Sequence, residues 1–535
     1  MQMLKLLIKS SQKLFTLAVI SSLLTGLCNM MVLRQIHLAI QQDTIDLTSF
    51  GVQFGVYWIG YGVFAIISTY SVTVLTQSIV HKLRVEISQK ILKAEFSKIE
   101  RTQDRLIPIL TEDIRTVGLV IDRMPSVATG FATVVGILIY MIWYYPILSV
   151  ATVILFTAVI FITKVSLPMV RKYQEKAREK WNEVFDYLNG LVFGIKELTL
   201  NEQLKDAYIN ELIIPSSKEQ NSYNVKENMV SSIASKSGDM VLLLGIAAMI
   251  VIIFNTDYVS IVEFGYFLTL VLITLAPLST VAGWFSNLKR IEVALDQIRV
   301  VGLELDEFIM SKGAKKLNPA SDGFPIIELK DVVHSYYHSD EDAHFEMGPI
   351  NLQIQKGELI FLLGGNGSGK TTLAKIILGL YNPKAGSISY SGQELNGANL
   401  EDFRNKFGAT FVDSYLFDQL LHIDEKRLEM KGPGLIETLE LSKKVKIQNK
   451  KFSTKRLSEG QKKRLGLLIS LLEDKEIYLF DEWAANQDPH YKKIFYEQIL
   501  QTLKSQGKTI IVISHDEQYF DQGDRVIKLM DGQLV

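Results

Sequence analysis

The chain has 535 residues, a hydrophobic content of 48% and a formal net charge of −1 at pH 7. This length suffices for two or more domains, and the near-neutral charge excludes the global positive field that attracts nucleic acid. With Cys28 as its single cysteine, the chain can form no internal disulfide and carries no CxxC-type metal or redox motif.

Long apolar stretches are concentrated in the first 290 residues. A helix needs about 20 apolar residues to cross a hydrocarbon core about 30 Å thick. Lysines precede the first stretch, as in a secretory signal, but the stretch is long enough for a retained span. The sixth stretch contains Pro277, which predicts a kink. We predict six membrane-spanning helices, at residues 14–33, 52–78, 125–144, 146–168, 238–254 and 264–286.

The third and fourth spans are separated only by Trp143-Tyr144-Tyr145-Pro146, which combines interfacial aromatic residues with a helix breaker and predicts a tight hairpin. Near the inner end of the fifth span, Lys236 and Asp239 stand at i,i+3 spacing. Such a pair is costly in a membrane unless it meets water, a partner or a ligand. A solvated pair and a cargo contact are both compatible with the sequence.

Basic residues are distributed unequally between the loops. Nine Lys or Arg residues lie between Lys82 and Arg123, nine more lie between Arg171 and Lys226, and Arg34 is the clear basic residue of the opposite loops. Because basic loops stay in the cytoplasm, we predict that both termini are cytoplasmic in a multi-pass protein of the cytoplasmic (inner) membrane. The two basic segments contain few glycines or prolines, so the spans should continue as helices beyond the bilayer.

The composition changes after the sixth span. Turn formers in "SKGAKKLNPASDG" indicate a linker, and we predict a membrane domain at 1–310, a linker at 311–324 and a soluble domain at 325–535. In the soluble domain, "GGNGSGKTT" matches the P-loop pattern GxxxxGK[ST] between the apolar strand 359–363 and a helical run from Leu373. This context predicts an α/β nucleotide-binding domain.

The P-loop pattern predicts a definite chemistry. Its glycines let backbone N–H groups surround phosphate at a helix N-terminus, Lys370 reaches the terminal phosphates, and the Thr371 hydroxyl binds Mg²⁺. The predicted nucleotide-binding residues here are Gly364, Asn366, Gly367, Ser368, Gly369, Lys370, Thr371 and Thr372.

Two further apolar strands end in residues suited to this chemistry. "IYLFDE" ends in Asp481, predicted to hold Mg²⁺, and Glu482, predicted to polarise the attacking water. "TIIVISHD" ends in His515, which we expect at the same sheet edge, touching the γ-phosphate.

"LSEGQ", at residues 457–461, precedes the acidic pair and leads into a helix. The order of P-loop, LSEGQ, acidic strand and histidine resembles the ATP-binding cassette superfamily. The resemblance implies ATP and Mg²⁺ as cofactors, and a composite site in which LSEGQ of one subunit closes over ATP held by the P-loop of the other. It implies nucleotide contacts by Ser458, Glu459, Gly460 and Gln461.

The same resemblance extends to single positions. Tyr336 matches the aromatic residue that stacks on adenine, with Tyr337 as a possible substitute, and Asp488 matches an aspartate at the dimer interface. One position departs from the family pattern. Where most cassettes have a glutamine that senses Mg²⁺, this chain has Val412 followed by Asp413, so that role is either altered or taken by Asp413 as a metal ligand.

Six spans fused to one cassette resemble an exporter-type half-transporter. The fold this implies is an all-α six-helix membrane domain followed by an α/β P-loop domain. Because one P-loop and one LSEGQ cannot complete a composite site, the resemblance implies a second copy of the chain in a homodimer. The family's coupling helices would fall near residues 96–101 and 196–204.

The residues in and around these motifs indicate a subgroup of the family. "FDEWAANQDPH" and "ISHDEQYF" look like the bacterial cyclic-peptide exporters, the group of pyoverdine-, syringomycin- and microcin-type transporters. The function implied is ATP-driven export of a peptide-like cargo (cyclic peptide, siderophore precursor or microcin-like) or of an amphipathic small molecule, by alternating access and with no nucleic-acid partner. A lipid or glycolipid flippase and a nucleotide-gated regulatory membrane subunit are the alternatives, and Glu482 and His515 argue against the second.

Overall fold

The computed structural model describes residues 11–41, 46–254, 260–307, 316–318, 323–338, 343–485 and 487–535. The chain divides into two compact units, residues 1–88 with 105–302 and residues 89–104 with 303–535. Most of the predicted linker 311–324 lies outside the described residues, so the predicted domain boundaries stay a prediction.

The N-terminal part of the chain is helical, as its apolar runs predict. Short π-helical turns at Ile109–Asp113 and Tyr208–Ile213 interrupt it. The helices are α1 (Gln12–Gln41), α2 (Leu47–Lys93), α3 (Phe96–Pro108), α4 (Ile114–Asp122), α5 (Met124–Tyr144), α6 (Pro146–Phe193), α7 (Ile195–Leu200), α8 (Glu202–Ala207), α9 (Ile214–Phe254) and α10 (Ile261–Glu307).

Six helical segments of the described chain are long and apolar enough to cross a membrane, which confirms the six predicted spans. Helix α6 has 48 residues, a length of about 70 Å at about 1.5 Å per residue. A hydrocarbon core is about 30 Å thick. Much of α6 therefore extends beyond the bilayer, as the basic, helical composition of its second half predicts.

The predicted hairpin between the third and fourth spans is confirmed. Helix α5 ends at Tyr144, α6 begins at Pro146, and Tyr145 between them has a non-helical backbone with φ −134° and ψ 61°. Proline suits the first position of α6 because its missing N–H would have no partner there.

Glycines let the spans approach closely. A Cβ added at Gly26 of α1 would lie 2.4 Å from the Ala132 Cβ and 2.9 Å from the Thr129 carbonyl oxygen of α5. One added at Gly130 of α5 would lie 3.1 Å from the Pro277 carbonyl oxygen of α10. Since lipid provides no hydrophobic drive between helices, such close packing of small residues contributes much of their association.

The second unit contains two main sheets. Antiparallel strands in the order β2-β1-β4-β5 form one, and the order β12-β11-β3-β10-β9-β6 forms the other, in which all strands but β12 are parallel. The strands are β1 (Ile327–His338), β2 (Ala343–Ile354), β3 (Leu359–Leu363), β4 (Ala385–Tyr390), β5 (Gln393–Glu394), β6 (Phe407–Thr410), β7 (Ile447–Gln448), β8 (Lys451–Phe452), β9 (Ile477–Asp481), β10 (Thr509–Ile513), β11 (Arg525–Met530) and β12 (Gln533–Leu534).

Helices flank these strands, and apolar side chains fill the space between them. They are α11 (Lys370–Ile377), α12 (Leu400–Arg404), α13 (Glu425–Thr438), α14 (Glu459–Glu473), α15 (Pro489–Lys493) and α16 (Leu500–Ser505). Alternate residues of β9 enter two different hydrophobic clusters, Leu479 one and Phe480 the other. Because successive side chains of a strand point to opposite faces, the parallel sheet is covered on both sides.

The close approach at Gly26 generates a stability prediction. Gly26→Val should lower the melting temperature of the detergent-purified protein, since overpacking a close contact costs about 1–3 kcal/mol. Gly62→Val is the matched control, because a Cβ added at Gly62 of α2 meets no atom of the described residues within 4 Å. Equal melting temperatures for the two variants would contradict the tight packing of α1 on α5.

Candidate nucleotide and catalytic site

Strand pairing brings the predicted catalytic segments to one edge of the parallel sheet. Ile513 of β10 pairs with Leu362 of β3 on one side and with Asp481 of β9 on the other. The P-loop after β3, the acidic pair at the end of β9 and His515 after β10 therefore leave the sheet at the same edge.

The P-loop backbone needs its glycines. Gly367 and Gly369 have φ of 76° and 98°, in the left-handed region that side chains disfavour. A Cβ at Gly364 would lie 2.4 Å from the Leu529 carbonyl oxygen and 2.6 Å from the Ser368 Oγ. These positions leave a backbone cradle open toward the N-terminus of α11.

Polar side chains of the cradle are poised for an anion. The buried Lys370 donates from Nζ to the carbonyl oxygens of Gly364 and Gly365, at 2.8 and 2.9 Å. The Ser368 Oγ is buried and has no hydrogen-bond partner among the described residues. Asn366 is exposed on the loop, and Thr372 is buried in α11. A phosphate at this helix N-terminus would give the unpartnered hydroxyl an acceptor.

The acidic pair combines a buried carboxylate with a strained neighbour. Asp481 is 3% exposed; burial raises its pKa above the ordinary 3.8, and a hydrogen bond with Thr371 partly opposes this. Glu482 has φ 47°, uncommon for a residue with a side chain, and its N–H donates to the Ile513 carbonyl oxygen at 3.0 Å. The Glu482 Oε1 lies 3.4 Å from the His515 Nε2.

The donor set fits a hard cation of the Mg²⁺ type. Thr371 and Asp481 are in contact, and Asp413, an exposed residue after β6, is near enough to raise the pKa of Asp481 electrostatically. Within the described segments, no group of three or more His, Cys, Asp and Glu side chains could hold a metal. A cation here would need oxygens from nucleotide and water, as Mg²⁺ usually does.

The LSEGQ segment and Asp488 begin helices. The Ser458 Oγ accepts from the Gln461 N–H at 3.4 Å, and the Gln461 Oε1 accepts from the Ser458 N–H at 3.1 Å, a capping box that places Glu459 and Gly460 in the first turn of α14. The Asp488 Oδ1 accepts from the N–H groups of the next helix, α15. These caps hold both segments in defined positions outside the P-loop.

Four other predicted residues are described to different extents. Tyr336 and Tyr337 lie in β1, but their side chains are outside the described part of the chain. Lys236 and Asp239 pair at 3.2 Å, with side chains 80% and 57% exposed. The two charges therefore pair within α9, and a cargo role for them stays a prediction.

Sequence reasoning missed a cluster in the second unit. The Glu100 carboxylate of α3 accepts from the Lys375 Nζ at 2.7 Å and from the Tyr381 hydroxyl at 2.5 Å, and the Phe96 ring lies 6.2 Å from the Tyr381 ring. The predicted coupling segment 96–101 therefore contacts the helix that follows the P-loop. No local pattern marks Lys375 as its partner.

The sequence also did not predict the hydrogen-bond partners of Trp483. The indole N–H donates to the Lys463 carbonyl oxygen of α14, and the Gln487 amide donates to the Gly460 carbonyl oxygen. Only the unusual tryptophan after an acidic pair could have drawn attention to this region.

Long apolar helices joined to a P-loop sheet define the class of ATP-driven membrane transporters, and comparison with known proteins makes the family specific. The model of the ABC transporter transmembrane region matches residues 13–200, and that of the ABC transporter matches residues 347–485. The ATP-binding protein SyrD of Pseudomonas syringae pv. syringae is 30% identical over 97% of this chain and 93% of its own. The chain belongs to the ABC transporter family, so its cassette binds and hydrolyses ATP to drive transport.

Two further comparisons agree. A probable ABC transporter ATP-binding/permease protein of Haemophilus influenzae is 23% identical over 84% of this chain and 83% of its own. A bacterial Atm1-family ABC exporter with ATP bound superposes with a TM-score of 0.76 at 14% identity, over 99% of this chain and 94% of that chain. The predicted family is confirmed, and so is the predicted fold class, an exporter-type six-helix membrane domain followed by a nucleotide-binding domain.

Burial of Asp481 generates a prediction about stability without nucleotide. The raised pKa means that ionisation of Asp481 opposes folding, so stability falls as pH rises from the ordinary 3.8 through the raised value. Asp481→Asn should therefore raise the melting temperature of the nucleotide-free protein at pH 7.5 by a few degrees, and by less near pH 4. Asp413→Asn, at an exposed position, is the control. A lower melting temperature for Asp481→Asn at pH 7.5 would contradict the prediction.

Proposed function

We propose that the protein exports a peptide-like molecule outward across the cytoplasmic membrane as a homodimer, with both termini and the cassette in the cytoplasm. The observation that carries this proposal is the meeting of the P-loop, Asp481, Glu482 and His515 at one sheet edge, in a chain that also has six spans. The motif resemblance to cyclic-peptide exporters and the whole-chain relationship to SyrD support the cargo class.

Each residue at the sheet edge has a proposed task. Lys370 leaves the Gly364 and Gly365 carbonyls to contact the terminal phosphates, and Thr371 and Asp481 hold Mg²⁺, with Asp413 beside them. Mg²⁺, when bound, neutralises phosphate charge. Glu482 orients and polarises the attacking water, and His515 contacts the γ-phosphate.

The proposed dimer completes two composite sites. Ser458 and Gly460 of one chain contact ATP on the P-loop of the other, and Asp488 lies at the interface between cassettes. ATP binding closes the cassettes, hydrolysis reopens them, and alternating access of the spans follows. The second basic segment, with α7 at Ile195–Leu200, supplies a second coupling helix in addition to the one that begins at Phe96.

A cavity of about 340 Å³ in the first unit provides the proposed cargo contact. Arg123, Ser126 and Val127 line it from α5 and the residue before it, and Ser279, Thr280, Gly283 and Trp284 line it from α10. Its volume lies in the usual range for small-molecule sites. Arg123 is the one charged group among these lining residues, so the cavity favours an anion.

The hydrogen-bonding groups narrow the ligand. The hydroxyls of Ser279 and Thr280 donate to the Ala276 carbonyl oxygen, at 2.8 and 3.0 Å, which leaves their oxygens free to accept. A guanidinium binds a carboxylate through two parallel hydrogen bonds. A matching ligand has a carboxylate for Arg123, amide N–H groups for the two hydroxyl oxygens and an apolar surface for Trp284. An acidic peptide has this composition.

Glu482→Gln tests the hydrolytic role. The amide keeps the size of the carboxylate but cannot act as a base, so phosphate release should fall by about 100-fold or more. ATP should stay bound in a closed dimer, detectable as retained nucleotide after gel filtration. Glu517→Gln, at an exposed acid after His515, should hydrolyse ATP like the wild type. Wild-type turnover in Glu482→Gln would remove Glu482 from the mechanism.

Arg123→Gln tests the cargo site. In vesicles of defined lipid, an acidic cyclic peptide should stimulate ATP hydrolysis by the wild type more than its amidated analogue does. In Arg123→Gln, the peptide concentration for half-maximal stimulation should rise about tenfold, the equivalent of one lost charged hydrogen bond. Arg171→Gln is the control, because Arg171 pairs with Glu175 on the exposed surface of α6.

The same assay distinguishes the flippase alternative. Stimulation by added lipid headgroups, with no response to either peptide, would contradict peptide export and support lipid transport. ATP binding without hydrolysis in the wild type would support a regulatory subunit instead.

A further inference from the structure

The loop that carries Glu482 is fastened to the helix that carries LSEGQ in the same chain. The Trp483 indole N–H donates to the Lys463 carbonyl oxygen at 2.8 Å. In return, the Lys463 Nζ donates to the carbonyl oxygens of Ala485 at 3.1 Å and of Glu482 at 3.3 Å. The Gln487 Nε2 donates to the Gly460 carbonyl oxygen at 3.1 Å. We call Trp483, Lys463 and Gln487 the brace.

Two residues of the brace are buried, and Lys463 is half-buried. Trp483 is 2% exposed, and its ring lies 4.5 Å from the Phe495 ring between centroids. Gln487 is also buried. Burial lowers the pKa of the Lys463 ammonium, although Glu482, Glu459 and Asp481 oppose this. A hydrogen bond in such surroundings is stronger than one in water, because the local dielectric is low.

Next to the brace in sequence, Arg464 packs against α15. Its guanidinium lies 3.5 Å above the Tyr491 ring, and the Tyr491 hydroxyl donates to Glu440 at 2.8 Å. Lys463 and Arg464, which are consecutive in α14, therefore contact the chain before and after Asp488. Lys463 contacts the Glu482 loop, and Arg464 contacts Tyr491 of α15. A displacement of α14 would be transmitted to Glu482 at one end of this loop and to Tyr491 at the other.

The backbone conformation of Glu482 depends on the brace. A left-handed φ at a residue with a side chain is strained, and it persists only where surrounding contacts enforce it. The bond from the Glu482 N–H to Ile513 enforces it from the sheet side, and Lys463 bonds the Glu482 carbonyl from the α14 side. The carboxylate position therefore depends on where α14 stands.

We propose that Trp483 and Lys463 are positioning residues that couple the water-activating Glu482 to the LSEGQ helix of the same chain. This rests on the proposed composite dimer, in which LSEGQ contacts the ATP of the partner. ATP in one site then fixes α14 of the opposite chain, and the brace aligns the Glu482 of that chain. Hydrolysis in each site becomes responsive to occupancy of the other.

Trp483→Phe and Lys463→Met test the coupling in full-length protein in vesicles. Trp483→Phe keeps a ring against Phe495 and loses the N–H, and Lys463→Met keeps the chain length and loses the ammonium. Loss of one or two partly buried hydrogen bonds should lower kcat about fivefold to twentyfold. KM for ATP should change less than twofold, and the Hill coefficient for ATP should fall toward 1. Lys463→Arg keeps a positively charged donor, so its kcat and its Hill coefficient should both stay close to the wild-type values.

Tyr390→Phe is the matched control for loss of a partly buried hydrogen bond. The Tyr390 hydroxyl donates to Glu476 at 2.8 Å, and the residue lies in the antiparallel sheet. It should lower the melting temperature without changing the Hill coefficient. Effects of Trp483→Phe and Lys463→Met that combine less than additively would support one shared brace. Wild-type kcat and Hill coefficient in both variants would overturn the brace and leave the proposed function standing, because wild-type hydrolysis is measured in the same assay.

Discussion

The parallel pairing of β3, β10 and β9 is the constraint on which the whole site depends. Each of these strands is buried on both faces, so its side chains pack in the core and its backbone pairs with the neighbouring strands. Only at the carboxyl ends do the residues leave the hydrogen-bonded ladder. Segments from three distant parts of the chain therefore become available for chemistry at one edge, and their mutual positions follow from strand register.

Features with local causes could be predicted from the sequence. Hydropathy and length predict the six spans, Pro146 predicts the hairpin at Tyr145, and the P-loop spacing predicts a strand followed by a helix. In each case the physical reason is contained in a short stretch, such as a missing N–H or an unbroken apolar run. The capping box at Ser458 also has a local signature, since serine and glutamine stand three residues apart.

Contacts between distant segments could not be predicted in the same way. Glu100 and Lys375 are exposed-type residues on separate helices, and either would be assigned to a solvated surface. Lys463 looks like one more charge after LSEGQ until the fold places two backbone carbonyls beside it. Such contacts depend on the final positions of whole elements, which periodicity does not encode.

The edge of the sheet is less stable than the core beneath it. Asp481 is a buried carboxylate with a raised pKa, the Ser368 hydroxyl has no hydrogen-bond partner in the described part of the chain, and Glu482 has a left-handed backbone. Each feature costs free energy in the nucleotide-free protein, and a phosphate with its cation would relieve the first two. The third is a backbone conformation, and contacts within the protein support it at the Glu482 N–H and at the Glu482 carbonyl. Trp483 is well suited to this because its ring is anchored on Phe495 while its N–H reaches α14. A smaller residue would leave the Glu482 loop with fewer contacts to α14, and the strained backbone would be freer to relax away from the water-activating position.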